Sequence, residues 1–470
     1  MTSPPPPKLV SAVDESGTVL CLYNRDAKAD SWQAIPPKKT TRSYAKAVLD
    51  VFLPAGYPHT VTPDYTPYQI YDSLQAFSST IAGLLSSRAV LQGFGVGDSS
   101  SSATAAVLLT VLQESTGRLA TILFAHRFGQ AIEPECKRYR FLADVLNDGA
   151  LALDVLTPAI LSSSLSFSFF STSTSASTAT SIDQHYYARA LALCASGILR
   201  ALCGVAAGAA KASLSAHFAR GGGHGGGNLA ELNAKDGSQE TVISLLGMLA
   251  GSVFVRAVTG TYAVWLSTAV LVAVHLATNY AAVRAVELRS LNRQRAQLVL
   301  RHYRDTGGRV LVPKQAARRE RILMWRSPRD ALGLGVSNGG GGGGKIAFAR
   351  SHPRTDEIGA ADLWRHREDP YVIVPGGRGG RTSGGRTIFM KEGATPRDTL
   401  AAWFEALLMC GDGEATRTTT TTTATEEKSQ GYDGKEELLN DEFWKALASA
   451  GWDLDAGALE TGPAVRIRVE

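Results

Sequence analysis

Nine polar side chains stand out because they fall in otherwise apolar, helix-like stretches: Asp72, Gln75, Arg88, Asp98, Glu114, Arg118, Asp144, Asn147 and Asp148, with Asp154 beyond them. An ionisable group on so apolar a helix is costly unless it is paired or faces water. Asp144 and Asp148 are four residues apart and share a helix face. Glu114 and Arg118 have the same spacing and can pair within their helix. Such groups either lock helices together or line a polar pathway or ligand pocket. Acids alone suit a phosphate poorly, so a phosphorylated ligand needs Arg88 and Arg118, or a metal, to intervene.

Other motifs carry less chemistry. Gly93-Phe94-Gly95-Val96-Gly97-Asp98 follows a helical stretch and is spaced G-x-G-x-G, whereas a dinucleotide fingerprint needs a preceding strand and G-x-G-x-x-G. A helix C-cap, a tight turn and an Asp98 N-cap explain it better. His224, inside GGGHGGG, has no second ligand nearby and reads as linker. The run 376–386 is similar to arginine–glycine RNA-binding segments, but it joins two expected strands and is read as a long hairpin loop. No nucleic-acid partner is expected. Cys21, Cys136, Cys194, Cys203 and Cys410 are scattered without C-x-x-C spacing, which argues against a disulfide framework and a zinc site. No metal, cofactor or catalytic residue is expected, and the cysteines suit a reducing compartment.

The elements that position these residues are mainly α. Helices are expected over 68–93, 102–128, 135–160, 184–216, 241–258 and 261–303, the first marked by Ile70, Leu74, Phe77, Ile81 and Leu84. Residues 1–45 read as an N-terminal β-hairpin of Leu9–Val13 and Val19–Tyr23, too small to stand without packing on something else. The helical domain, 46–310, carries low-complexity insertions at 162–181 and 219–240. A basic and glycine-rich linker, 311–368, precedes a small α/β domain at 369–470 with a threonine-rich insertion at 411–435. That domain holds strands at 371–374, 387–390 and 464–469, and a helix with Thr395 as N-cap, Pro396 at its first position and Asp398 at its third.

Hydrophobic residues make up 44% of 470, and the net charge is +5. Ala257–Val283 contains no Asp, Glu, Lys or Arg, closes at Arg256 and Arg284, and carries Tyr262, Trp265 and Tyr280 towards its ends. Thr241–Val255 is expected to form the other leg of a hairpin turning near Gly260. Between Arg284 and Asp330 thirteen Lys/Arg face four Asp/Glu. That excess beside a span predicts an intracellular membrane with the C-terminal domain on the cytosolic side, the basic stretch being a solvated helix face near lipid headgroups. The N-terminus shows neither a signal nor a transit pattern, so an internal segment is expected to direct insertion.

Phe52-Leu53-Pro54-Ala55-Gly56-Tyr57-Pro58, Asp64 through Phe77, Ala89 through Asp98, Phe141 through Asp148, Leu291-Asn292-Arg293-Gln294-Arg295-Ala296 and Gly451-Trp452-Asp453-Leu454 together resemble the root UVB-sensitive family. The likeness covers roughly residues 45–310, with weaker traces beyond. Gln113-Glu114-Ser115-Thr116-Gly117 departs from it, since relatives tend to carry Lys-Asp-Gly-Thr-Gly there. The resemblance implies a multi-helix, membrane-associated protein with no established catalysis. Its plant members are tied to seedling development, ultraviolet-B responses, vitamin B6 homeostasis and auxin transport, in plastids and with a paralogous partner.

The expectation is therefore a non-enzymatic integral membrane protein that carries or scaffolds something small, linked to vitamin B6. Lipids, a paralogue or a second copy are its expected partners. The rival is a soluble helical binding protein or an enzyme, with Asp72, Asp98, Asp144 and Asp148 around a phosphorylated cofactor such as pyridoxal phosphate. A third reading is a lipid-surface scaffold that recruits a paralogue.

Overall fold

A computed structural model describes residues 9–13, 19–26, 31–35, 49–93, 103–162, 179–221, 227–323, 346–349, 366–375, 385–415, 439–462 and 465–468. It is mainly helical, with a three-stranded sheet at the N-terminal end and a small α/β region at the C-terminal end. The chain divides into two compact units, 1–96 with 212–282, and 97–211 with 283–470. Asp98, His224, most of the arginine–glycine run and most of the low-complexity stretches lie outside the described residues.

In the first unit, β1 (Leu9–Val13), β2 (Val19–Asp26) and β3 (Ser31–Ile35) form an antiparallel meander, one strand more than the expected hairpin. Val10, Val13, Trp32 and Ile35 are exposed, so among the described residues no cover for the sheet is seen. Helix α1 (Tyr65–Gly93) buries a mixed face in which Tyr65, Tyr68, Ile81 and Leu85 lie beside polar side chains. Gln75, Ser78 and Ser86 are buried while Ile70 and Leu74 point out.

The unit also contains α5 (Leu229–Ala257) and most of α6 (Thr261–Ala285), joined by a short turn that includes Gly260. The expected hairpin is present. The uncharged run, however, is broken by that turn, and the helix expected over 261–303 ends at Ala285. Segment 219–240, read as an insertion, instead contains the start of α5, where Asn228 Oδ1 accepts from the Ala230 and Glu231 amides at 3.0 and 3.3 Å. Two glycines one turn apart bring α5 against α1. A Cβ at Gly247 would lie 2.9 Å from Thr80 Cβ, and one at Gly251 2.6 Å from Leu84 Cδ1. Close approach through small residues suits helices that lack a hydrophobic drive to associate.

The second unit holds α2 (Ala103–Ile132), α3 (Cys136–Ser162) and most of α4 (Ala179–Phe218), whose last residues belong to the first unit. Gly197 of α4 faces Gln113 of α2, where a Cβ would meet Cγ at 2.5 Å. After α6 come α7 (Arg293–Asp305) and α8 (Pro313–Arg319), then strands β4 (Ile346–Phe348), β5 (Tyr371–Pro375), β6 (Arg386–Lys391) and β7 (Arg466–Ile467). Strand β6 runs antiparallel to β5, and its other edge takes β4 and β7 in parallel. Helices α9 (Pro396–Ala415) and α10 (Asp441–Ser449) pack through Phe404 against Phe443 and Trp444, with ring centroids 5.4 and 6.0 Å apart. The N-cap of α9 forms as expected, Asp398 Oδ2 accepting from the Thr395 amide at 2.8 Å. One core joins Leu291, Val299, Leu311 and Ala316 to Ile346, Phe348, Trp403 and Phe443, so the stretch read as a linker contributes to it.

Candidate functional site

The first unit contains a cleft of about 500 Å³ between α1 and α5. It is built by the turn that precedes α1. Gly56, at φ 73°, takes a left-handed conformation that disfavours a side chain, and the Thr60 hydroxyl donates to the Ala55 carbonyl at 2.7 Å. Tyr57 is thereby laid against the start of α1, its hydroxyl 2.7 Å from Thr66 Oγ1. The turn is further held by α5. The Lys235 ammonium donates to the Asp50 and Val51 carbonyls, and Gln239 Nε2 donates to Phe52 O at 2.7 Å.

Leu53, Ile70, Leu74, Phe77 and Ile243 form apolar walls, and Tyr57, Tyr65, Thr66, Gln69, Ser73 and Gln239 supply hydroxyls and amides. Behind the polar end, buried Asp236 accepts from the Tyr65 hydroxyl at 2.7 Å and from Gln69 Nε2 at 3.0 Å. Burial first, then the Asp236 charge, drives the Tyr65 phenol above its ordinary range, so it stays a donor. A second buried pair, His217 Nε2 and Asp64 Oδ2 at 2.9 Å, fixes the residue before Tyr65. Gly221 is fixed by space, because a Cβ there would strike the Val61–Thr62 backbone at 2.0 Å. With no charged side chain in its lining among the described residues, the cleft can hold an uncharged ring by stacking and neutral hydrogen bonds, and those residues offer a phosphate no cation.

The polar residues singled out from the sequence are dispersed. Asp72 is half-buried on α1. Buried Gln75 accepts from Asn279 Nδ2 at 2.9 Å, tying α1 to α6. Arg88 donates to the Val255 and Val258 carbonyls at 3.1 and 2.7 Å, satisfying the C-terminal end of α5. The other described ones belong to the second unit. Glu114 and Arg118 pair at 3.8 Å on an exposed face. Asp144 is paired with Arg140 at 2.8 Å, Asp148 is buried and Asn147 half-buried. Asp154 accepts from Ser196 at 2.6 Å and from Arg200, which joins α3 to α4.

The basic stretch after α6 is only partly the solvated face expected. Arg289, Arg301, Arg304, Arg309, Lys314, Arg318, Arg319 and Arg321 are exposed, but Arg293 and Arg295 are buried. Arg295 bonds Glu320 Oε1 at 2.7 Å, and Lys137 bonds the other oxygen at 2.8 Å. Arg293 donates to the Leu459 carbonyl at 2.9 Å and lies over the Trp403 ring. Arg284 donates to the Arg318 and Glu320 carbonyls at the C-terminal end of α8. Arginine's planar, multidentate donors suit these buried duties.

Tyr57, Tyr65 and Gln69 fall within the segments that carry the family resemblance but were not singled out. Asp236 and Gln239 lie near or inside a segment dismissed as an insertion, although Asn228 followed by Glu231 marks a helix start.

Comparison with known proteins gives a consistent result. A family model described as the vitamin B6 photo-protection and homoeostasis domain matches residues 38–307. RUS family member 1 of Dictyostelium discoideum is 37% identical over 297 residues, covering 63% of this chain and 51% of that protein. Protein root UVB sensitive 3 of Arabidopsis thaliana is 30% identical over 383 residues, covering 77% of this chain and 75% of that protein. Protein root UVB sensitive 2, chloroplastic, from the same plant, is 26% identical over 301 residues, covering 63% and 60%. The chain thus spans about half the length of the Dictyostelium relative. No solved structure matches it.

Proposed function

The chain belongs to the root UVB-sensitive family, and from that premise we propose that it is a non-enzymatic integral membrane protein whose α1–α5 cleft holds an unphosphorylated, uncharged ring compound of the vitamin B6 class. One observation carries the reading: large apolar side chains cover much of the outward surface of the helices, while several polar ones are buried beside the apolar residues between them. Four helices, Val107–Ile132, Ala190–Phe218, Leu229–Ala257 and Thr261–Ala285, are long and apolar enough to cross a membrane. On α6, Thr268, His275 and Asn279 are buried, whereas Leu266, Val270 and Val274 face outward. A helix of a soluble bundle turns a charged and polar face outward instead.

The described lining of the cleft is neutral throughout, which favours a neutral ligand over pyridoxal phosphate. Buried Lys137, Arg140 and Arg295 are already matched to carboxylates. The exposed arginines after α6 support a cytosolic C-terminal domain on an intracellular membrane.

Carbonate extraction tests the placement, with the protein expected to stay in the pellet. Radiolabelled pyridoxine and pyridoxal phosphate, offered to the protein in lipid nanodiscs, test the ligand. Pyridoxine is expected to bind, and Ser73→Trp, which fills the cleft, to lower its affinity tenfold or more. Unchanged binding in that variant, or a preference for the phosphorylated form, refutes the site.

A further inference from the structure

We propose that the outward face of α2 is a self-association surface, covered by the same face of a second copy of this chain. The inference rests on the membrane reading above. Helix α2 contacts its own unit along one narrow side, through Leu109, Gly117 and Phe124. The opposite side carries Val107, Leu108, Val111, Leu119 and Ile122, all exposed. At the flank of that apolar surface sit Glu114 and Arg118, 3.8 Å apart, with side chains 65% and 80% exposed.

Their depth makes this arrangement informative. At about 1.5 Å per residue, Glu114 lies roughly 8 Å and Arg118 roughly 2 Å from the midpoint of Val107–Ile132. Both are well inside a hydrocarbon layer about 30 Å thick. Lipid solvates neither charge, and among the described residues a single long contact leaves most of their hydrogen-bonding groups unmet. Apolar neighbours at Val111 and Leu119 would suit lipid; the ion pair does not.

A second copy resolves the mismatch because the surface is complementary to itself. In a two-fold interface each residue i meets residue j of the partner and the reverse. An acid and a base one turn apart on one face therefore give two crossed contacts, Glu114 of each copy to Arg118 of the other. Val107, Val111 and Ile122 then pack around four charges withdrawn from lipid. Each guanidinium gains a second carboxylate to which it can donate charge-assisted hydrogen bonds.

Charge exchange between two tagged chains tests the pairing. A Glu114→Arg chain carries two bases at the seam, and an Arg118→Glu chain two acids. Each expressed alone is expected to lose self-association at least tenfold against wild type, read by two-tag co-purification from nanodisc or mild-detergent preparations. The two co-expressed are expected to recover it, which also shows that both fold. Equal association in all combinations, or a wild-type chain that photobleaches in single steps, overturns the proposal. Carbonate extraction of the same membranes is read separately. A chain that stays in the pellet but shows no charge-dependent pairing refutes the interface alone, while a chain released to the supernatant refutes the membrane placement.

Discussion

Glu320 balances the buried charge of the second unit. Burial pushes its carboxyl up, but the Lys137 ammonium and Arg295 guanidinium overcome that and hold it at about 2, against an ordinary 4.5. A carboxylate depressed on folding stabilises the fold above its ordinary range, and the effect disappears as pH falls through the depressed value. The contribution should be whole at neutral pH and wane between about 4.5 and about 2. Glu320→Gln leaves two buried cations without a counter-charge. Thermal unfolding in detergent should show it less stable by about 3–5 kcal/mol at neutral pH, with the gap closing in acid. In the same region, burial pushes the Cys136 thiol up to about 11. Iodoacetamide at mildly alkaline pH should therefore leave Cys136 unmodified until the protein is unfolded, as peptide mapping would show. Neither role was legible beforehand. Arg293 and Arg295 look like members of a basic helix face, and only the approach of Glu320 and Trp403 from elsewhere in the chain reveals them as interior groups.

At the scale of elements, the glycine seam of α5 makes a graded prediction. At Gly251 an added methyl meets the far end of Leu84, which can rotate away. At Gly247 it meets Thr80, whose branched Cβ is stiff. Gly247→Ala should cost on the order of 1–3 kcal/mol, and Gly251→Ala distinctly less, measured by melting temperature in one detergent. The helices themselves were largely legible, since periodicity and charge-free length survive any tertiary context. Which side of α1 faces inward was not. A periodic stripe marks a face without saying whether protein or lipid covers it, so Ile70 and Leu74 could be placed on a helix but not inside or outside. The start of α5 was masked by the neighbouring glycines, despite the Asn228 cap.

For the whole molecule, the core beneath the C-terminal sheet begins before residue 300. Leu291, Ala296, Val299 and Leu300 share it with Trp403 and Phe443. A chain stopped at residue 310 strips the cover from these side chains, so it should aggregate or be rapidly degraded, scored by solubility and limited proteolysis beside the full chain. The cleft was the least legible part of the protein, because Tyr65 and Asp236 are 171 residues apart and meet only through the packing of α1 on α5. The lock of Phe404 on Phe443 and Trp444 has a practical consequence. It holds α9 and α10 together through their own side chains, and in general doubling the length of chain between two joined elements costs only about 0.6 kcal/mol. A fluorescent reporter or protease tag spliced between these helices would ride on an intact framework and reveal in living cells which compartment this end of the protein occupies.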